Sequence, residues 1–233
     1  MEDFERYGDY DDKDYDKERK SGGFALFLKI CIYLVCIAVV LVLGFRIVLS
    51  KSYPDSMKNI YFSDSISVYY NENGGELNAV TQSLRTPYDN AKFANFMCDN
   101  LIIVEGAGAL QLSVRYNDSM IDEAEKKYSL TGLSASDENL LSFRLVDNNG
   151  KIYENLVYKH YEESFMYNYL KLAFEGVDIS RENKSPEWIR LEVFINAAES
   201  ETPFAMIPVY ENHEGYNVFS TYTLSESEKP KND

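Results

Sequence analysis

The sequence predicts a mainly β protein: a single N-terminal transmembrane helix, then an antiparallel β-sandwich with one short helix. Three observations carry this. The 16 residues from Ile30 to Phe45 (ICIYLVCIAVVLVLGF) hold no charge and are nearly all apolar. Beyond residue 60 the apolar side chains recur with period two, in stretches bounded by Asn, Asp and Gly. No regular strand–helix repeat is present, as a parallel sheet would need.

The apolar run reaches Phe24 on one side and Leu49 on the other, broken only by Lys29 and Arg46 near its ends. Long cationic side chains there can reach the headgroups. A helix over 24–49 is about 39 Å long at ~1.5 Å per residue, more than the roughly 30 Å of a bilayer core. It has no polar face, which argues against a buried helix of a soluble fold. The stretch before it is acidic and no small-x-small site follows, so it reads as an uncleaved signal anchor in the lipid bilayer. Lys13, Lys17, Arg19, Lys20 and Lys29 precede the run, and Arg46, Lys51 and Lys58 follow it. This bias predicts a single-pass cell-membrane protein, N-terminus in the cytoplasm and C-terminal domain outside.

With 38 Asp and Glu against 23 Lys and Arg, the formal net charge is −15. That argues against nucleic acid, whose phosphates need clustered cations. Two histidines and three cysteines are too few for zinc fingers, iron–sulfur sites or a disulfide scaffold, and no cofactor is expected. Residues 1–23 carry nine acids, five bases and the aromatics Phe4, Tyr7, Tyr10 and Tyr15. They are expected to be a disordered tail, either simply solvated or a docking peptide for a cytoplasmic partner. Residues 50–59 are expected to be a stalk, 60–223 the outer domain and 224–233 a second disordered tail.

Within the outer domain the alternation assigns faces. Leu110, Leu112, Val114 and Tyr116 share one side, with Gln111, Ser113 and Arg115 on the other. Phe143 and Leu145 flank Arg144, and Asp147-Asn148-Asn149-Gly150 supplies a hairpin turn. Leu170, Leu172 and Phe174 oppose Tyr169, Lys171, Ala173 and Glu175. Ile189, Leu191, Val193 and Ile195 oppose Trp188, Arg190, Glu192 and Phe194. Pro208 places its strand on a sheet edge. Ile66–Tyr70, before an Asn/Gly-rich turn, reads as an earlier strand. Asn117–Tyr128 reads as the one helix: an N-cap at Asp118 or Ser119, acids first and lysines last.

The segments LLSFRLVDNNGKIY, YNYLKLAFEGVDI and EWIRLEVFIN, downstream of a signal anchor, resemble the immunoglobulin-like ectodomains of small membrane-anchored bacterial surface proteins. The resemblance spans roughly 108–212. It implies an immunoglobulin-like sandwich and a binding or scaffolding role. It carries no site residue, and the Cys…Trp…Cys arrangement of antibody domains is absent.

Chemical motifs are sparse. Cys98, amid apolar residues, reads as a buried inert thiol, with an intermolecular disulfide or reactive thiol as the alternatives. Cys31 and Cys36 lie in the apolar helix. His160 stands beside Glu162 and Glu163, and only the fold could bring His213 to it as a metal or general-base partner. The 147–150 turn lacks the distal Glu of a calcium loop. Gly106–Leu110 lacks a phosphate-loop spacing and reads as a flexible strand entry. Asn117-Asp118-Ser119 and Asn183-Lys184-Ser185 match glycosylation sequons. Tyr153, Tyr158, Tyr161, Tyr167 and Tyr169 are strand filler or a binding surface.

The candidate partner contact is the face holding Trp188, Arg190, Glu192 and Phe194, with the aromatics half covered or exposed and Glu192 a surface residue. The function expected is a binding or scaffolding module of a cell-envelope assembly with a protein or glycan partner outside. The alternatives are a carboxylate-based glycan hydrolase, which would show a concave carboxylate pair, and a sensor coupled to a cytoplasmic partner.

Overall fold

The computed structural model describes residues 13–51, 53–82, 96–165, 167–212 and 218–230. The chain divides into two units, Met1–Lys51 and Ser52–Asp233.

The first unit is one helix, α1 (Lys13–Lys51). Its stretch Gly23–Val48 has a mean hydropathy of 3.0 and is 0% buried. This is the one helix among the described residues long and apolar enough to cross a membrane. α1 starts at Lys13, so part of the tail expected to be disordered is helical. Lys, Glu and Arg lose little rotamer freedom in a helix, and the apolar turns supply the nucleus from which the charged turns propagate. Residues 1–12 lie outside the described residues.

The second unit is a pair of antiparallel sheets. Its strands are β1 (Val80–Gln82), β2 (Phe96–Val104), β3 (Ala109–Tyr116), β4 (Leu141–Asp147), β5 (Ile152–Tyr153), β6 (Leu156–Ser164), β7 (Tyr167–Glu175), β8 (Trp188–Ile195), β9 (Ala205–Glu211) and β10 (Phe219–Thr221). They form a six-stranded sheet, β10-β1-β2-β3-β7-β6, and a four-stranded sheet, β5-β4-β8-β9. One apolar core joins them: Leu112 and Leu172 from the first, Leu145, Leu191 and Ile207 from the second. Each of these five is fully buried. The period-two sets read from sequence all point into this core. β4 and β5 meet through the turn expected at 147–150, where Gly150 takes φ +79° and its N–H reaches the Asp147 carbonyl at 3.1 Å. β9, holding Pro208, is an edge strand.

Among the described residues three α-helices accompany the sheets. α4 (Asp118–Tyr128) is the expected helix, N-capped by Asn117 rather than Asp118 or Ser119, and it buries Met120, Ile121 and Ala124. α2 (Asp55–Lys58) and α3 (Asp64–Glu72) were not expected. The strand read at Ile66–Tyr70 is instead the middle of α3. Ser63 stands at its N-cap, and the Glu175 carboxylate accepts the Ser65 backbone N–H at 3.0 Å and the Ser65 hydroxyl. A carboxylate at a helix N-terminus offsets the exposed backbone dipoles.

The segment expected to be a stalk is part of the second unit. Met57 is fully buried, and Ile60 and Ile66 pack with Ile102 and Val104 in a second apolar cluster. Residues expected to form a loose C-terminal tail also take part: Glu228 accepts the Ile60 N–H at 2.9 Å and the Tyr222 hydroxyl. The centre of the outer face of the six-stranded sheet, around Ile102, Val104, Ser113 and Lys171, is therefore covered by its own chain. This also explains the glycines at its rim. A Cβ on Gly106 would stand 2.2 Å from Tyr69 Cε2, so this glycine is a close packing contact, not merely a flexible strand entry.

Candidate functional site

The four residues singled out from the sequence do share one face, the outer face of the four-stranded sheet. Pairing β4 with β8 sets Arg144 opposite Glu192, and pairing β8 with β9 sets Glu192 opposite Met206. Arg144 Nε donates to Glu192 Oε2 at 2.7 Å; Arg190 Nε and Nη2 donate to Oε1 at 3.0 and 2.8 Å. The Glu192 side chain is 3% exposed, against 31% for Arg144 and 37% for Arg190. The expectation of a surface Glu192 is thereby corrected. An outward-pointing side chain is not a solvated one when two guanidiniums close over it, and a desolvated carboxylate requires such partners.

The aromatics are half covered, by those same arginines. The Arg144 guanidinium lies 4.9 Å from the Phe194 ring centre, and that of Arg190 lies 5.8 Å from Trp188. Both fall within cation–π range. Met206 and Ile152 on this side are 40% and 48% exposed. Sequence reasoning missed Arg144 as a member of the site. Its signal was available: it alternates with inward Phe143 and Leu145 just as Glu192 alternates with Leu191 and Val193.

The opposite sheet presents a second polar group, on the face that the alternation set opposite the apolar residues. Lys171 is 0% exposed. Its Nζ donates to the Met57 carbonyl at 3.3 Å, beside the Ser113 hydroxyl at 2.6 Å. Burial lowers its pKa from 10.5 to about 8, with Glu228 pulling the other way. Gln111 accepts the Tyr61 N–H at 2.8 Å and donates to the Tyr61 carbonyl at 2.6 Å. These side chains satisfy the backbone of the overlying segment.

The remaining candidates resolve individually. Asp147 Oδ1 accepts the Asn149 and Lys151 N–H groups and its Oδ2 the Tyr153 hydroxyl, so its carboxylate is committed to the turn. His160 lies 3.9 Å from Glu162; His213 lies outside the described residues. Among the described residues no group of three or more His, Cys, Asp or Glu is placed to hold a metal. Cys98 is partly buried and its thiol pKa is pushed up by desolvation, which disfavours the reactive thiolate. Asn183 is exposed and Asn117 half-buried at the α4 cap. Tyr153 and Tyr169 are buried, and Tyr158, Tyr161 and Tyr167 half-buried.

Asp118, Asp122 and Glu163 line one pocket of about 340 Å³ beside Tyr161 and Asn168. All three acids are exposed. A catalytic carboxylic acid is kept protonated by apolar surroundings, which this open pocket does not provide.

No family model, curated protein or solved structure matches the chain.

Proposed function

We propose that the protein is a single-pass membrane protein, N-terminus in the cytoplasm, whose outer β domain is a binding or scaffolding module of a cell-envelope assembly. The outer face of the four-stranded sheet is its contact surface. The observation that carries this is the asymmetry between the two sheets. One has the centre of its outer face covered by α2, α3 and the C-terminal residues, leaving Met97 on β2 and His160 on the edge strand β6 accessible, while the other leaves Arg144, Arg190, Met206 and Ile152 accessible along its middle strands and both edges. An exposed mixture of Arg, aromatic and apolar side chains is the composition of partner-binding surfaces. The orientation rests on five Lys and Arg before the apolar run against three after it.

A photo-reactive amino acid at Met206 or Ile152, irradiated in native membranes, tests the surface. Discrete adducts are expected there and not from Val68 on α3, which is also exposed. Adducts from Val68 alone, or from none of the three, overturn the reading. Protease added outside spheroplasts is expected to remove a C-terminal tag and spare an N-terminal one; the reverse pattern overturns the orientation.

A further inference from the structure

We infer that this face is an anion receptor, and that its partner is an acidic polypeptide segment with apolar side chains between its acids. The inference rests on the reading of the face as a contact surface and names the chemistry it recognises.

The guanidiniums are preorganised. Each is held from below by Glu192 and laid against an aromatic ring. Among the described residues Arg144 bonds Glu192 through its Nε, which leaves the edge formed by its two Nη groups for a ligand. Arg190 uses Nε and Nη2 and retains Nη1. A guanidinium edge with two outward nitrogens matches a carboxylate in bidentate geometry. Two cations over one carboxylate leave this cluster with a net charge of +1, on a stretch where 29 acids after residue 50 outnumber 16 bases.

That contrast selects the occupant. A second copy brings the whole excess of 29 acids over 16 bases against the same excess, whereas a short segment brings a few carboxylates that can sit directly on the two arginines. A neutral glycan would stack on ring faces, yet the rings of Trp188 and Phe194 already carry the arginines. Exposed Met206 and Ile152 flank the cations on β9 and β5. Acids spaced by apolar residues therefore complement the face, and carboxylates fixed by the two arginines set the register.

The test uses the full chain in zwitterionic lipid nanodiscs and a fluorescein-labelled Glu-Leu repeat peptide, followed by anisotropy. The triple variant Arg144→Gln, Arg190→Gln, Glu192→Gln removes the receptor without leaving a buried charge unpaired. Arg144→Lys with Arg190→Lys keeps the charge and removes the fork. Both are expected to weaken binding about tenfold or more, as loss of charge-assisted bidentate contacts does. Lys126→Gln on α4 should leave it unchanged, and a Gln-Leu peptide should not bind. Equal binding by wild type and both variants overturns the inference. So does arginine-dependent binding of polygalacturonate in place of the peptide, or self-association of the nanodisc-held protein through this face. Adducts at Met206 that persist in the triple variant overturn the anion chemistry while leaving the contact surface standing; absence of both adducts and peptide binding in the wild type removes the two readings together.

Discussion

Replacing Lys171 by Met should stabilise the outer domain at neutral pH, and the gain should fade as the solution becomes alkaline. Lys171 is fully buried, and among the described residues its ammonium meets one backbone carbonyl at 3.3 Å and no carboxylate within salt-bridge distance. Desolvation brings its pKa from 10.5 to about 8. At ~1.4 kcal/mol per unit this is a penalty of about 3 kcal/mol on the folded state while the amine is charged in both states. The sign follows from proton counting. Below pH 8 folded and unfolded chains both hold the proton and the penalty is complete. Between about pH 8 and 10.5 the unfolded chain holds a proton that the folded chain has released, so stability rises with pH. Met fills the same space without charge and leaves the Met57 carbonyl to the Ser113 hydroxyl, so Lys171→Met should add about 1–3 kcal/mol at pH 7, net of the lost hydrogen bond. Urea denaturation of residues 53–230, followed by circular dichroism from about pH 7 to 10, reads the difference between the two proteins. Other titrations, including Tyr53, pushed up to about 12 chiefly by burial, are common to both and cancel. A difference that stays constant with pH, or a variant less stable than wild type at pH 7, would refute the reasoning.

Leu191→Ala should cost about 2–5 kcal/mol. Glu192→Ala should cost about 1–3 kcal/mol, below the figure for a sealed ion pair because both arginines retain water; an unchanged melting temperature for Glu192→Ala would count against the buried-carboxylate geometry. A chain of residues 53–230 should be soluble and β-rich, whereas 60–223, which lacks Met57 and Glu228, should melt lower or aggregate; equal melting curves would show that these flanks do not stabilise the domain. Gly106→Ala should cost about 1–3 kcal/mol by driving a Cβ into Tyr69, and most of that loss should vanish in a Tyr69→Ala background, as a double-mutant cycle would reveal.

Period-two reading identified which residues share a face, because the pleat permits nothing else. It therefore found the core sets of β3, β4, β7 and β8. It could not say what lies over a face. Gln111, Ser113 and Lys171 look like solvent-side residues, and only the fold reveals the chain segment that takes their hydrogen bonds. Glu192 was misread for the same reason, since its cover comes from Arg144, nearly fifty residues away along the chain. The helix at Asp64–Glu72 was misread because Ile66–Tyr70 is rich in β-branched and aromatic residues, which favour strands when nothing else intervenes. Here Ser63, Asp64 and the distant Glu175 supply a helix start, and Ile66 gains a buried site on the sheet. Tertiary context outweighed a weak local preference.

The meeting of Ile60 with Glu228 and Tyr222, together with the pairing of Val80 on Thr221, has a consequence for how the protein is made. Synthesis delivers residue 60 long before residue 228. Until the last stretch emerges, β1 lacks one neighbour, the Ile60 amide lacks its acceptors, and the apolar side chains beneath have no complete cover. The opening and closing passages of the domain thus reach their final state together and late, and closing contacts so distant in sequence is slow. A chain lacking residues 219–228 would hold most of the sandwich strands and still leave Ile60, Ile102 and Val104 without Tyr222 and Leu224 over them, which makes this stretch the latch of the domain rather than an appendage to it.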